Sequence, residues 1–358
     1  KFAECVAGVK FRKVNPDGSI SGGPMYYMKQ GLADRNLGWL GKPMAYFYAA
    51  SIVIGCLGIG NMFQSNQAYQ QFVFATGGSD SFFVDKGWLF GLALAVIVAA
   101  VIIGGIKSIA KVTSKLVPFM AAAYIIGALL VILLNAEKLP WAFTAIVTEA
   151  FNPSAVSGGM LGVMIMGFQR AAFSNEAGLG SAAIVHSAVR TSEPVTEGYV
   201  ALMEPFIDTV VICTLTSLVI LTTIYEPGMA GNGMQGIELT SQAFGSTLGW
   251  STVPLSFIAI LFAFSTMLSW SYYGLKGWTY LLGESRNKEI VFKILFCAFG
   301  ALGCMIQLDV VLEFSDALIF VMALPNILAL YILAPVIKRE LKSYQTRLTS
   351  GEIKSFRD

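Results

Sequence analysis

Residues 167–187, GFQRAAFSNEAGLGSAAIVHS, carry the reading that decides the fold. They set Arg170, Asn175, Glu176 and His186 among glycines inside an apolar region long enough to cross a bilayer. Charged groups at that depth are costly and face a cavity or a partner. Unwound backbone is tolerated there only where protein or water satisfies its peptide groups. The stretch is therefore expected to be a broken helix beside a solute path. A plainer reading competes, in which a membrane helix ends near Phe168 and residues 170–187 form a polar loop.

The rest of the 358-residue chain bears on that choice. Hydrophobic residues make up 55% of it and charged residues 13%, with a mean hydropathy of +0.66; soluble domains carry about a quarter charged residues. An integral membrane protein is implied. The net charge of +2, with basic residues in loops rather than along one stripe, gives no footprint for nucleic acid. Cys5, Cys56, Cys213, Cys297 and Cys304 lie in apolar surroundings without a CxxC pair, and His186 is the only histidine. Neither a zinc site nor a disulfide framework is expected, and no organic cofactor. The opening KFAECVAGVKFRK reads as the last turn of an apolar helix entering a basic loop, so further chain is expected upstream of Lys1.

Crossing a hydrocarbon core of about 30 Å takes about 20 helical residues. Runs of that kind fall near 43–66, 87–106, 116–135, 157–187, 200–224, 251–283, 290–307 and 310–337, the last long enough to tilt or bend near Pro325. Lysines and arginines gather in alternate connections. Lys10, Arg12, Lys13, Lys29, Arg35 and Lys42 precede the first run, Lys107, Lys111 and Lys115 follow the second, Arg190 follows the fourth, and Lys276, Arg286, Lys288 and Lys293 surround the sixth-to-seventh turn. The other connections hold little beyond Lys86 and Lys138. Both ends of the chain are thus expected in the cytoplasm, with 67–86, 136–156 and 225–250 external and 338–358 a cytoplasmic tail. Pro, Gly and Asn clusters such as ATGGSDS and EPGMAGNGMQG mark loops, so one membrane domain is read over 1–358.

Two further runs carry polar faces at helical spacing. Asn61, Gln64 and Ser65 fall within one turn, as do Ser265, Thr266, Ser269 and Trp270. Uncharged oxygens of this kind suit a partly dehydrated monovalent cation. Hydroxyls in membrane helices also bond back to the preceding turn or join neighbouring helices. Glu204 and Asp208, four residues apart, face one way; they are proton or cation sites, carboxylates paired with Arg170 or Arg190, or groups near the interface with access to water.

Taken together, GGPMYYM, GIGNMFQSN, IGGIKSIAKVTSKLVPFMA, FSNEAGLGSAAIVHSA, EGYVALMEPFIDTVVICTLTSLVIL and FAFSTMLSWSYYG resemble the alanine or glycine:cation symporter family, sodium-coupled carriers of bacteria and archaea. The resemblance spans nearly the whole chain. It implies an all-α polytopic membrane protein of the leucine-transporter type, with ten core helices in two inverted five-helix repeats and broken first and sixth helices meeting at the midplane. The eight runs then correspond to core helices three to ten, 167–187 to the sixth, and 157–337 to the complete second repeat. The first core helix and most of the second are expected to precede Lys1.

On that resemblance the chain is a multi-pass carrier of the bacterial or archaeal plasma membrane, taking up alanine or glycine with sodium by alternating access, and not an enzyme. Gln64, Phe168, Phe173 and Trp270 are expected as substrate contacts. Ser265 and Thr266 are expected as cation ligands, with Ser174 and Asn175 as further candidates. A proton-coupled carrier and a non-transporting sensor fit the same fold. An intramembrane hydrolase would need HExxH, GxSxG or paired membrane aspartates in a glycine motif, which are absent, and no repeated filter segment suggests a channel.

Overall fold

A backbone placed in hydrocarbon has to bond to itself, and the apolar runs accordingly fold as helices. The computed structural model describes residues 1–15, 18–151, 159–226 and 236–353. Among them the helices are, in chain order, α1 (Phe2–Lys10), α2 (Pro24–Ala33), α3 (Gly38–Leu57), α4 (Phe63–Ala75), α5 (Gly87–Ile102), α6 (Gly105–Leu134), α7 (Leu139–Ala150), α8 (Gly159–Asn175), α9 (Ser181–His186), α10 (Pro194–Pro205), α11 (Thr214–Thr223), α12 (Ile237–Thr247), α13 (Thr252–Leu282), α14 (Arg286–Gly303) and α15 (Leu308–Thr349). A small hairpin pairs β1 (Lys13–Val14) antiparallel with β2 (Ile20–Ser21). Most of the expected EPGMAGNGMQG loop, and the end of the 136–156 connection, lie outside the described residues.

Two π-helical turns join neighbouring helices into longer rods. Gly58–Met62 links α3 to α4, and Phe206–Cys213 links α10 to α11. Among the described residues, five helical stretches are long and apolar enough to cross a membrane: Gly38–Ala75, Gly105–Leu134, Pro194–Thr223, Thr252–Leu282 and Leu308–Thr349. Gly87–Ile102 is a shorter apolar helix. The run at 290–307 falls mostly on α14, which carries Arg286, Lys288 and Glu289 ahead of that run and Lys293 within it. The run at 157–187 divides into α8 and α9. Helix α8 continues past Phe168 and Arg170 to Asn175, so the interruption is confined to residues 176–180 and the plainer reading of a long polar loop does not hold.

Large apolar side chains such as Leu92, Val96, Ile126 and Leu133 stand exposed on α5 and α6, as a lipid-facing surface requires. Inside, α3 packs against α2, α13 and α15, while α14 lies along α5 and α1 sits against α9 and α10. Tyr48, Ile52, Trp270, Phe292, Phe296 and Met322 belong to the main core. Tyr124, Val131, Leu218, Phe244 and Leu255 form a second cluster joining α6, α11, α12 and α13. The closest approach in the main core is at Gly60, where an added Cβ would stand 1.9 Å from Trp270 Cγ.

Helix α15 has 42 residues and stays helical through Pro325 and Pro335. At 1.5 Å per residue it is about 63 Å long, roughly twice the hydrocarbon thickness. Residues 338–349, read from sequence as tail, continue this helix. Its end is fastened to the segment after α9, since Arg347 Nη1 and Nη2 donate to Glu193 Oε1 and Oε2 at 2.6 and 2.7 Å. Nearby, Arg12 donates to the carbonyls of Ser187, Val189 and Thr191, and Lys10 pairs with Glu340 at 2.7 Å.

This packing has two measurable outcomes. Gly60→Ala should destabilise the protein by about 1–3 kcal/mol, the usual cost of overpacking, whereas Gly167→Ala, where an added Cβ meets nothing within 4 Å, should be nearly neutral. Thermal unfolding midpoints in detergent compare them, and equal midpoints would show that the π turn yields freely. The second concerns pH. The Arg347 guanidinium holds the Glu193 carboxyl below its ordinary range, so its contribution is fully present above about pH 4.3 and is lost as pH falls through the depressed folded value. The midpoint difference between the parent and Arg347→Ala should therefore be seen at pH 7 and vanish at strongly acid pH; a difference independent of pH would exclude this pair as its source.

Candidate functional site

The interruption between α8 and α9 is built by backbone that no regular helix allows. Glu176, Gly178 and Gly180 have φ of 55°, 87° and 87°. Gly180 is required twice, because a Cβ there would stand 2.4 Å from Pro24 Cγ and the left-handed φ disfavours any side chain. Peptide groups that leave the ladder need other partners. Asn175 Oδ1 accepts from Ala177 N at 2.9 Å, and Glu4 Oε2 from Gly180 N at 3.0 Å. The Gly178 carbonyl takes Asn326 Nδ2 at 2.8 Å, the Leu179 carbonyl takes Tyr48 OH at 2.8 Å, and the Asn175 carbonyl takes Lys1 Nζ at 2.9 Å.

The carboxylates around the break are themselves held. Trp270 Nε1 donates to Glu176 Oε1 at 2.8 Å and Ser181 Oγ to Oε2. Asn326 Nδ2 reaches Glu4 Oε2 at 3.2 Å, and Tyr27 OH donates to Asn326 Oδ1. Side chains from α1, α2, α3, α13 and α15 thus converge on a single short gap.

Beside it, a cavity of about 450 Å³ lies between α4, α6, α13 and the Phe206–Cys213 π turn. Its walls are largely apolar, with Phe63, Tyr124, Ile212, Leu255 and Phe262, and its polar groups include Gln64, Gln67, Ser174, Asp208 and Thr216. Ligand sites of this type, apolar with few polar groups, commonly span 300–1,000 Å³. Asp208 Oδ2 accepts from Ser174 Oγ at 2.6 Å and from Thr209 Oγ1 at 3.1 Å, while Asn175 Nδ2 donates to Thr209 Oγ1 at 2.9 Å.

A membrane-crossing set of helices, a broken one among them, and an adjoining amphipathic cavity agree with the sequence comparisons. The profile of the sodium:alanine symporter family matches residues 1–358. The chain belongs to this family. It is a multi-pass membrane transporter, not an enzyme, and its activity is cation-coupled amino-acid symport. It is 38% identical over 346 residues, covering 96% of this chain and 74% of the relative, to the sodium/alanine symporter AgcS of Methanococcus maripaludis. Two Bacillus subtilis proteins are also similar. One, named "Probable sodium/glutamine symporter GlnT", is 32% identical over 95% of this chain and 68% of its own. The other, the amino-acid carrier protein AlsT, is 30% identical over 95% and 69%.

In this symporter the residues singled out from sequence divide into groups. Gln64, Ser174 and Asp208 line the cavity together, and Asn175 stands behind them. Phe173 packs its ring on Phe63 at 5.0 Å. Phe168 is set apart, 69% exposed on the outer face of α8. Trp270 is 1% exposed and reaches the break through Glu176 rather than lining the cavity. Ser265 and Thr266 both donate to the Phe262 carbonyl, at 2.9 and 3.0 Å, as hydroxyls in membrane helices do when they bond to the preceding turn. Asn61 and Ser65 do not share the cavity with Gln64: Asn61 Nδ2 donates to the Phe296 carbonyl and Ser65 Oγ to the Met62 carbonyl.

Glu204 and Asp208 pair with neither Arg170 nor Arg190. Glu204 meets Lys1 at 3.2 Å and His186 Nε2 at 3.5 Å, while Arg170 forms its ion pair with Asp316 on α15. Sequence reasoning missed Glu4, Tyr27, Tyr48 and Asn326. The one signal available was a Glu, an Asn and tyrosines set in apolar helices.

Trp270→Phe keeps most of the ring volume and removes the donor to Glu176. The expected loss is about 1–3 kcal/mol, with faster amide exchange at residues 176–180. Unchanged exchange there would detach Trp270 from the break.

Proposed function

We propose that this symporter carries a small neutral amino acid, alanine or glycine, inward with sodium by alternating access. The observation that carries the reading is the α8–α9 break, backed by long-range side chains and set beside an amphipathic cavity. The cavity beside the break, apolar with a few polar groups, suits a small zwitterion, and the broken backbone is held in place beside it by protein side chains. The names of relatives point the same way, one being a sodium/alanine symporter and another a sodium/glutamine symporter. Sodium and substrate bind together, and only the loaded or empty carrier changes its facing, so the ion gradient drives uptake.

In this reading the fold is the inverted five-plus-five arrangement, with α8 and α9 as the halves of core helix six. The connections rich in lysine and arginine face the cytoplasm of a bacterial or archaeal cell. Gln64 and Phe173 contact the substrate, and Trp270 acts from behind the break by fixing Glu176. Ser174, Asn175, Ser265 and Thr266 are candidate oxygens for the cation, since a hydroxyl that donates, or an amide oxygen that accepts one bond, keeps a lone pair. A second reading, proton coupling, is favoured by His186, whose ring stands 2.5 Å from Glu197 and 3.5 Å from Glu204.

Reconstituted protein tests these readings. An inward sodium gradient should drive concentrative uptake of labelled alanine, with competition from glycine and weak competition from amino acids of larger side chain. Uptake driven by a pH gradient without sodium would favour the second reading. No concentrative uptake of either amino acid under either gradient would sink both.

A further inference from the structure

One π-helical turn lines the cavity and the other leads into its wall. Gly58–Met62 delivers Phe63 and Gln64 to one wall, and Phe206–Cys213 delivers Asp208, Ile212 and Cys213 to another. A π turn inserts a residue into a helix and re-aims the side chains beyond it, and such turns gather at functional sites. Asp208 is the only carboxylate on that cavity wall among the described residues. It stands midway along the Pro194–Thr223 span, where a charge is expensive without a partner.

The cations nearby in sequence and space are engaged elsewhere. Glu204, one turn earlier on the same rod, holds Lys1 and His186. Arg170, one turn before Ser174 on α8, turns to Asp316. Among the described residues no lysine, arginine or histidine nitrogen lies within 4.0 Å of Asp208, and its hydrogen-bond partners are the hydroxyls of Ser174 and Thr209. Ser174 Oγ and the Asp208 carboxylate therefore meet on the cavity wall with Thr209 Oγ1 hydrogen-bonded behind them, a set of oxygens that no protein cation approaches among the described residues. Hydroxyls that donate to the carboxylate keep lone pairs for a cation, and hard monovalent cations take such oxygens.

We propose that Asp208, Ser174 and Thr209 form a binding site for a monovalent cation, either the coupled sodium ion or the ammonium group of the amino acid. The proposal deepens the reading of cation-coupled transport and rests on it. It ties the ion or substrate to both α8 and the second π turn, so occupancy at this site is read directly by the broken helix.

Binding to the purified protein tests the site apart from transport. Thermal stability in detergent is titrated with sodium chloride against choline chloride, and with L-alanine against propionate, which lacks the ammonium. A ligand of the folded state raises the midpoint in proportion to its occupancy. If the site holds sodium, Asp208→Asn should raise the half-stabilising sodium concentration at least ten-fold, and alanine stabilisation should recover at saturating sodium because coupling is reciprocal. If it holds the ammonium, sodium stabilisation stays and the preference for alanine over propionate is lost. Thr209→Val, which keeps the branched shape, should show the same pattern at smaller amplitude and serves where Asp208→Asn does not fold. Parental responses to both ligands in both variants would overturn the proposal. Failure of the unmodified protein to take up alanine under a sodium gradient would instead remove the transport reading, leaving the binding titration to judge the site.

Discussion

Everything in this structure turns on peptide groups that leave a helical ladder within an apolar surrounding. Between Asn175 and Gly180 the backbone gives up several of its own partners, and hydrocarbon offers none in exchange. The replacements come from far along the chain: Glu4 from α1, Tyr48 from α3, and Asn326 from α15. Each of these side chains is polar and deeply buried, and each is tolerated because the break supplies its partner. The gap and the residues that fill it therefore depend on one another, and neither is stable alone.

Charge follows the same logic. Lys1, His186 and Glu204 neutralise one another at one side of the break, and Arg170 is matched by Asp316 on the other. Asp208 has no cationic partner among the described residues and is met instead by the hydroxyls of Ser174 and Thr209 beside the cavity. The two halves of the interrupted helix consequently touch different surroundings. Helix α9 is held by Glu4 and by Arg12 at the carbonyls just beyond its end. Helix α8 is held by Asp316, by Asp208 and by the ring of Phe63.

Much of this was legible in the sequence, for identifiable reasons. Arg170, Asn175, Glu176 and three glycines in an apolar run are incompatible with an ordinary span, and the chain breaks at that place. The apolar runs themselves set the helices. The features that could not be read depend on distant packing. The π turns at Gly58–Met62 and Phe206–Cys213 leave no periodic signature, because a single inserted residue shifts the pattern less than ordinary variation does. Pairings such as Arg170 with Asp316 or Trp270 with Glu176 join residues far apart in sequence, and spacing along one helix says nothing of them. Ser265 and Thr266 illustrate the converse: helical spacing put them on a helix together, but their hydroxyls turn back onto the preceding turn, to the carbonyl of Phe262.

The length of α15 gives its two ends unlike fastenings. Near its start, Asp316 meets Arg170 within the span, whereas Arg347 meets Glu193 on the part that projects beyond it. The two pairs are similarly exposed within the folded chain, so their surroundings decide the difference: hydrocarbon depth shields the first from mobile ions, and the projecting part leaves the second open to them. At physiological ionic strength the screening length is about 8 Å, and exposed pairs weaken as salt rises while partly buried ones are little affected. The surrounding electrolyte thus acts selectively on one end of a continuous helix, loosening the segment after α9 while leaving α8 attached.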